Sequence, residues 1–281
     1  MQLTNPALDI DILTRDPDAL MGFYRDRLGC EPRPAPTPFE GGRHMLVAAG
    51  RHRLNLLSLD EAPGASAGAT ERANGIRLLA FILPDLEAVL ARFDAAGHGY
   101  ERLPLPEAAP FQVAFSRDSD GNALELVGLR DTPAGGFSPR MQIALTVSDA
   151  KPARDFYGRI LGLQEEPVMK LPPDMGAVDD ERYGFVFGGT TLKFWSHGPD
   201  RPTRSGPPFE RTGLRRIVAH VEDVDALADQ LRSEGVSIEV EPRAVDGRDV
   251  ARGEAAADGN PAARTLSVSD PDGNWIEFRS A

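Results

Sequence analysis

Residues 117–126 read RDSDGNALEL and residues 269–278 read SDPDGNWIEF. Each is an Asp/Gly/Asn turn followed by a strand whose side chains alternate. Gly121 and Gly273 suit the positive φ such a turn requires, and Pro271 presets its own φ ahead of the second one. Leu124 and Leu126 oppose Ala123, Glu125 and Val127; Ile276 and Phe278 oppose Trp275, Glu277 and Arg279. With the apolar parity against helices, Glu125 and Glu277 must line the open, concave face of a curved sheet. A carboxylate there needs a partner.

The phrase belongs to a larger repeat. DILTRDPDALMGFYRDRLGC (11–30) resembles ALTVSDAKPARDFYGRILGL (144–163), and GIRLLAFILPDLEAVLARFDAAG (75–97) resembles GLRRIVAHVEDVDALADQLRSEG (213–235). Each reads as strand, helix cap, amphipathic helix and glycine stop, with Asp16 and Ser148 or Asp149 as N-cap residues. Short strands follow, with hairpin turns at Gly50 and at Gly188-Gly189. The chain is therefore expected to be α+β, built of four βαβββ modules at 1–60, 72–130, 140–197 and 212–281. Taken two at a time they give an N-terminal domain (1–130) and a C-terminal domain (140–281), joined by the Pro/Gly linker 131–139, DTPAGGFSP.

Composition narrows the function. With 43 acidic against 31 basic residues, the formal net charge of -12 disfavours nucleic acid and anionic membranes as partners. No apolar run reaches the length of a membrane span, and the opening MQLTNPALDID lacks the basic and apolar regions of a secretion signal. A cytoplasmic location is expected, which suits a single cysteine, Cys30, read as a packed apolar residue. Nucleotide-binding glycine loops and the H-E-x-x-H zinc motif are absent from the sequence.

The combination of DPDGN before a strand glutamate, FY-x-x-x-LG after the first strand and G-L-R-x-I opening a later module resembles the vicinal oxygen chelate superfamily. That group includes glyoxalase I, extradiol dioxygenases and bleomycin-resistance proteins. The resemblance covers nearly the whole chain and implies cup-shaped mixed sheets. In metal-using relatives, it further implies, each cup holds a divalent ion by a histidine on the first strand of a domain, another on its fifth strand, and the glutamate. Here the first-strand position is Asp9 or Gln142, the fifth-strand position Leu78 or Arg216, and a further corner on the fourth strand Asn55 or Lys193. Only the glutamates survive. No cofactor is therefore expected; the alternative is a hard divalent cation on Asp9, Asn55 and Glu125, with Asp11 nearby.

Parity gathers Gln142, Thr146, Lys193, Trp195, Arg216, His220 and Glu277 on the concave face of the second half. Arg216 beside Glu277 is either a structural ion pair in the place of a metal or the anchor of a ligand. The expected function is binding or sequestration of a small organic molecule, with an oxygen-rich group against Arg216 or Lys193 and a planar part against Trp195. The alternative is an enzyme: a metal-free lyase or isomerase with His220 and Glu277 as acid and base, or a metal-dependent glyoxalase or dioxygenase with altered ligands. The expected partner is that small molecule, and the chain a monomer or homodimer. The polar stretch 241–263, longer than its counterpart in the first half, is a candidate lid or a surface insertion. His44 and His52 are expected at the surface, His98 after a helix and His197 at a strand exit.

Overall fold

The computed structural model describes residues 1–34, 41–61, 73–130, 140–171, 177–203, 207–244 and 263–280. The linker 131–139 and most of the 241–263 insertion lie outside the described residues. Four modules follow one another. The first is β1 (Asp9–Leu13), α1 (Pro17–Gly22), β2 (Glu31–Arg33), β3 (Gly42–Ala49) and β4 (His52–Leu59); the second is β5 (Gly75–Leu83), α2 (Leu86–Ala95), β6 (Tyr100–Arg102), β7 (Phe111–Arg117) and β8 (Ala123–Leu129). The third runs β9 (Met141–Val147), α3 (Ala150–Arg154), β10 (Gln164–Glu165), β11 (Met169–Lys170), β12 (Glu181–Phe187) and β13 (Thr190–Ser196). The fourth runs β14 (Gly213–His220), α4 (Val224–Ser233), β15 (Ile238–Ala244), β16 (Arg264–Ser269) and β17 (Trp275–Ser280). Asp16, Asp85, Asp149 and Asp223 cap the four helices through their carboxylates, so the cap expected at Ser148 or Asp149 is Asp149.

The strands form two mixed sheets. Sheet I has the order β15-β16-β17-β14-β1-β4-β3-β2, and sheet II the order β10-β12-β13-β9-β5-β8-β7-β6, with β11 on β12. Sheet I thus joins the first module to the fourth through the antiparallel β1·β14 ladder, and sheet II joins the second to the third through β5·β9. This corrects the grouping of site residues by half: each cup takes one module from each half of the chain. The first strand of every module offers a similar open edge, so the residue pattern of a module does not name the strand that will complete it.

The halves cohere on the other side of the sheets. Arg92 on α2 donates to the Arg27 carbonyl at 2.8 Å, and Gln230 on α4 donates to the Ile160 carbonyl, also at 2.8 Å. Within each half, the tyrosine of the FY motif meets the turn of the repeated phrase. Tyr24 donates to Asp118 at 3.0 Å and Tyr157 to Asp270 at 2.7 Å. Asp118 also accepts from the backbone N–H groups of Asp120 and Asn122 and from the Asn122 amide; Asp270 does the same with Asp272 and Asn274. Burial pushes each of these carboxyls up to about 6, although the hydrogen bonds to Asn122 or Asn274 oppose it. The two motifs recur together because they are two sides of one contact. The short π-helical turns Phe23–Leu28 and Asp155–Ile160 deliver those tyrosines.

Helices and the apolar parity of both sheets share one continuous core, including Ile10, Leu56, Phe81, Leu126, Ile143, Phe194, Ile217 and Phe278. The opposite parity lines the cups. Cys30 lies in the core, and burial raises its thiol pKa, as a packed apolar role requires. His52 is also buried, with Nδ1 3.1 Å from the Leu8 carbonyl, and His44 is half-buried on the cup face of sheet I. Both corrections to the surface expectation arise because β3 and β4 are interior to sheet I. His98 bonds Ser116 after α2, and His197 accepts from Trp195 at the exit of β13.

Candidate functional site

In sheet I, β1, β4, β14 and β17 bring Asp9, Asp11, Asn55, Arg216, His220 and Glu277 to one face. The Arg216 guanidinium sits at the centre, wholly buried between Asp11 and Glu277. Its Nε donates to Asp11 Oδ2 at 2.7 Å, and its Nη1 lies 2.6 Å from Glu277 Oε2. Arg279 pairs with the other oxygen of Glu277. Asn55 donates to Asp11 Oδ1 at 2.8 Å, and its own carbonyl oxygen meets His44 Nε2 at 3.0 Å. Burial pushes the His44 pKa down, while the Asn55 contact works the other way. Phe209 covers the guanidinium at 5.4 Å, and Arg215, at a β-bulge, donates to the carbonyls of Pro207 and Pro208. The network is closed from both sides.

The expected Arg216–Glu277 pair is present, but Asp11, Arg279 and Phe209 complete it. Asp11 shares the parity of Asp9, and Arg279 stands two residues beyond Glu277, so parity could have found both. Phe209 lies between modules and has no such signal. His220 Nε2 contacts Asp9 Oδ2 at 3.0 Å, and Asp9 also accepts from the Arg53 backbone N–H and Nε. His220 and Glu277 therefore share a sheet but face different partners. Glu277 is wholly buried with a guanidinium against each of its oxygens, so in this arrangement no substrate reaches it.

In sheet II, β5, β8, β9 and β13 bring Leu78, Glu125, Gln142, Thr146, Lys193 and Trp195 together. The Lys193 ammonium donates to Glu125 Oε2 at 2.5 Å and to Gln142 Oε1 at 2.9 Å. Beneath lies a small apolar floor of Leu78, Ala80, Ala144 and Trp195, against which Ala123, Leu171 and Ala177 also pack. The Lys193 side chain is 7% exposed and Glu125 18%, so this pair touches solvent. Trp195 is buried, with the Arg77 guanidinium 5.1 Å above its ring. The indole is thus the platform of Arg77. Thr146 donates to the Ala73 carbonyl at 2.9 Å and is buried, which makes it a strut of the sheet.

The expected seven-residue face is therefore divided. Gln142, Thr146, Lys193 and Trp195 belong to the sheet II cup with Glu125, whereas Arg216, His220 and Glu277 belong to the sheet I cup with Asp9 and Asn55. The alternative cation set is divided as well, since Asp9 and Asn55 lie in sheet I and Glu125 in sheet II. The donor sets do not fit the family's divalent ion. A guanidinium stands against Glu277 and an ammonium against Glu125, each within hydrogen-bond reach of the carboxylate that would ligate the metal. Among the described residues no group of three or more His, Cys, Asp or Glu is placed to hold a metal ion. Nor is any described helix long and apolar enough to cross a membrane.

The fold resembles solved structures over nearly the whole chain. Glyoxalase I from Zea mays superposes with a TM-score of 0.73 at 17% identity, covering 99% of this chain and 92% of that one. A putative dioxygenase from Bacillus subtilis gives 0.63 at 13% identity, covering 99% and 86% respectively. The cppA protein from Streptococcus pneumoniae gives 0.54 at 8% identity over both full chains. At such identities the likeness is one of fold. No curated protein matches the chain. The profile of the Glyoxalase/Bleomycin resistance protein/Dioxygenase superfamily matches it twice, at 8–126 and 141–278. Two profile matches, four βαβββ modules and two cup-shaped sheets together place this chain in that superfamily.

Proposed function

We propose that this protein is a metal-independent member of the superfamily that binds a small organic molecule in the cup of sheet II. The ligand carries a carboxylate or another oxygen-rich group directed at Lys193. The observation that carries this reading is the Lys193–Glu125–Gln142 group, which reaches solvent at Glu125, above a floor of apolar side chains. Cups with an apolar lining and a few convergent polar groups are the usual form of a small-molecule site. An ammonium has three donors, of which Glu125 and Gln142 take two, so a ligand oxygen can be the third partner. Binding is favoured over catalysis because Glu277, the acid/base candidate, is neutralised by Arg216 and Arg279.

Tryptophan fluorescence tests the reading. The chain has two tryptophans, so Trp275→Phe leaves Trp195 as the reporter. Titration with biphenyl-4-carboxylate should change its emission saturably, and Lys193→Met should weaken binding at least tenfold. No saturable change, or an unaltered affinity in Lys193→Met, would refute the site. Elemental analysis addresses metal independence separately: a divalent metal at one equivalent per chain in the purified protein would overturn it.

A further inference from the structure

On the cup face of sheet II, Gly184 of β12 stands opposite Lys193 of β13, and Arg182 shares its parity two residues earlier. The equivalent positions in sheet I are Leu46, opposite Asn55, and His44. There the imidazole bonds the asparagine at 3.0 Å. Two cations cannot pair in that way, so Arg182 must find its acceptors elsewhere. Glycine at 184 makes room for one, because a Cβ there would stand 2.5 Å from Glu166 Oε2. Yet Glu166 is held away from the arginine. Its Oε1 accepts from Thr191 at 3.3 Å, its backbone N–H donates to the Gly184 carbonyl at 2.7 Å, and Oε2 stays 4.0 Å from Arg182 Nη2, beyond a hydrogen bond.

Arg182 is thereby left short of acceptors. A guanidinium carries five N–H groups. Here Nη2 donates to the sulfur of Met169, a weak acceptor, and Nε is buried with no hydrogen-bond partner. An unpaired buried N–H is costly, and an acceptor brought by a ligand relieves it. Burial lowers the Arg182 pKa, while the charges of Glu166 and then Glu125 work the other way. Glu125 is the carboxylate that Lys193 holds, so the two cations act on one electrostatic site. The Arg182 side chain is 15% exposed and that of Glu166 32%, so the place is not sealed. Diagonal neighbours on antiparallel strands lie about 7–8 Å apart, within reach of two long side chains.

We propose that Arg182 is the second anchor of the ligand, whose oxygen-rich group is a carboxylate held between the Arg182 fork and Lys193. This rests on the assignment of Lys193 above and adds the residue that selects a planar anion over a neutral oxygen group. A guanidinium fork matches the two oxygens of a carboxylate, whereas a carboxamide offers it one acceptor and one donor. Glu125 and Glu166 flank the same space, so an anion is accepted only where both cations meet it.

Calorimetric titration of the full-length protein with biphenyl-4-carboxylate and its neutral isostere biphenyl-4-carboxamide tests the assignment. The carboxylate should bind at least tenfold more tightly. Arg182→Met should weaken the carboxylate at least tenfold while leaving the carboxamide within about twofold, and Arg182→Lys should recover part of the loss. Thermal melting of each variant confirms that it is folded. Equal affinity of the unsubstituted protein for both probes, or an unaltered carboxylate affinity in Arg182→Met, overturns the role of Arg182 and leaves Lys193 as the single anchor. An equal loss of both probes in Arg182→Met marks a structural role and overturns it as well. If neither probe binds the unsubstituted protein, both assignments fall.

Discussion

Arg216 in sheet I and Lys193 in sheet II each stand beside the glutamate of the repeated phrase, yet their surroundings differ. Arg216 is fully buried with two carboxylates, a second arginine and a phenylalanine cover. Lys193 has one carboxylate and one amide, over alanines and a leucine, with Glu125 partly open to water. Bulk explains the contrast as much as charge does. Arg216 and Trp275 stand on the face of one cup at the positions that Leu78 and Ala123 take in the other. The bulge arginines diverge in the same sense: Arg215 pins the chain at Pro207 and Pro208 over sheet I, while Arg77 lies along Trp195 at the edge of a cavity. The sheet I cup is closed by its own ion pairs, and the sheet II cup is the one proposed to bind a ligand.

The sharpest way to break this comparison is to remove each cation. Arg216→Met strands Asp11 and Glu277 in a dry site and should cost about 3–5 kcal/mol of stability, as for other buried pairs that lose one partner. Lys193→Met should cost about 1–2 kcal/mol, because Glu125 can be solvated in place. Urea denaturation of both variants checks the order. Equal losses would remove the distinction between a structural and a binding cup.

A second test transplants the difference between the two phrases. Ala123→Trp places in sheet II the side chain that sheet I has at Trp275. It should reduce probe binding more than tenfold, with a stability change of about 1–3 kcal/mol from crowding against Leu78. The reverse change, Trp275→Ala, should not create probe binding in sheet I, because Arg216 and its partners remain. Titrations of the two variants decide; retained binding in Ala123→Trp would show that the ligand lies elsewhere.

The smallest expected effect concerns what the cups share. Asp118 and Asp270 are held near pKa 6, above the usual value of 3.8, chiefly by burial. Between those values the folded protein binds more protons than the unfolded chain, so their contribution to stability rises as pH falls through 6 and is complete below about 4. Carboxyl NMR titration should give midpoints near 6 for both residues. Tyr157→Phe and Tyr24→Phe should each lose about 1 kcal/mol, the same in both halves. Midpoints near 4, or a large difference between the two tyrosine variants, would show that the two clasps are not equivalent.

Much of this could be read from residues alone. Turn chemistry, strand parity and helix caps are local, so RDSDGNALEL, SDPDGNWIEF and the FY motifs defined four modules, and parity put Glu125, Lys193, Arg216 and Glu277 on cup faces. The substitutions at Asp9, Leu78, Gln142 and Arg216 showed that the expected metal ligands are missing. Partner choice was not local. Hydrogen-bonded edges of homologous strands are chemically alike, and only the packing of the whole chain pairs the first module with the fourth and the second with the third. That pairing decided which charges meet: Asp11 with Arg216 across 205 positions of sequence, and Glu125 with Lys193 across 68. The sequence determined the parts and the parity of each side chain, and the tertiary structure determined which parts face one another, because ion pairs and cavities depend on distances that no local pattern encodes.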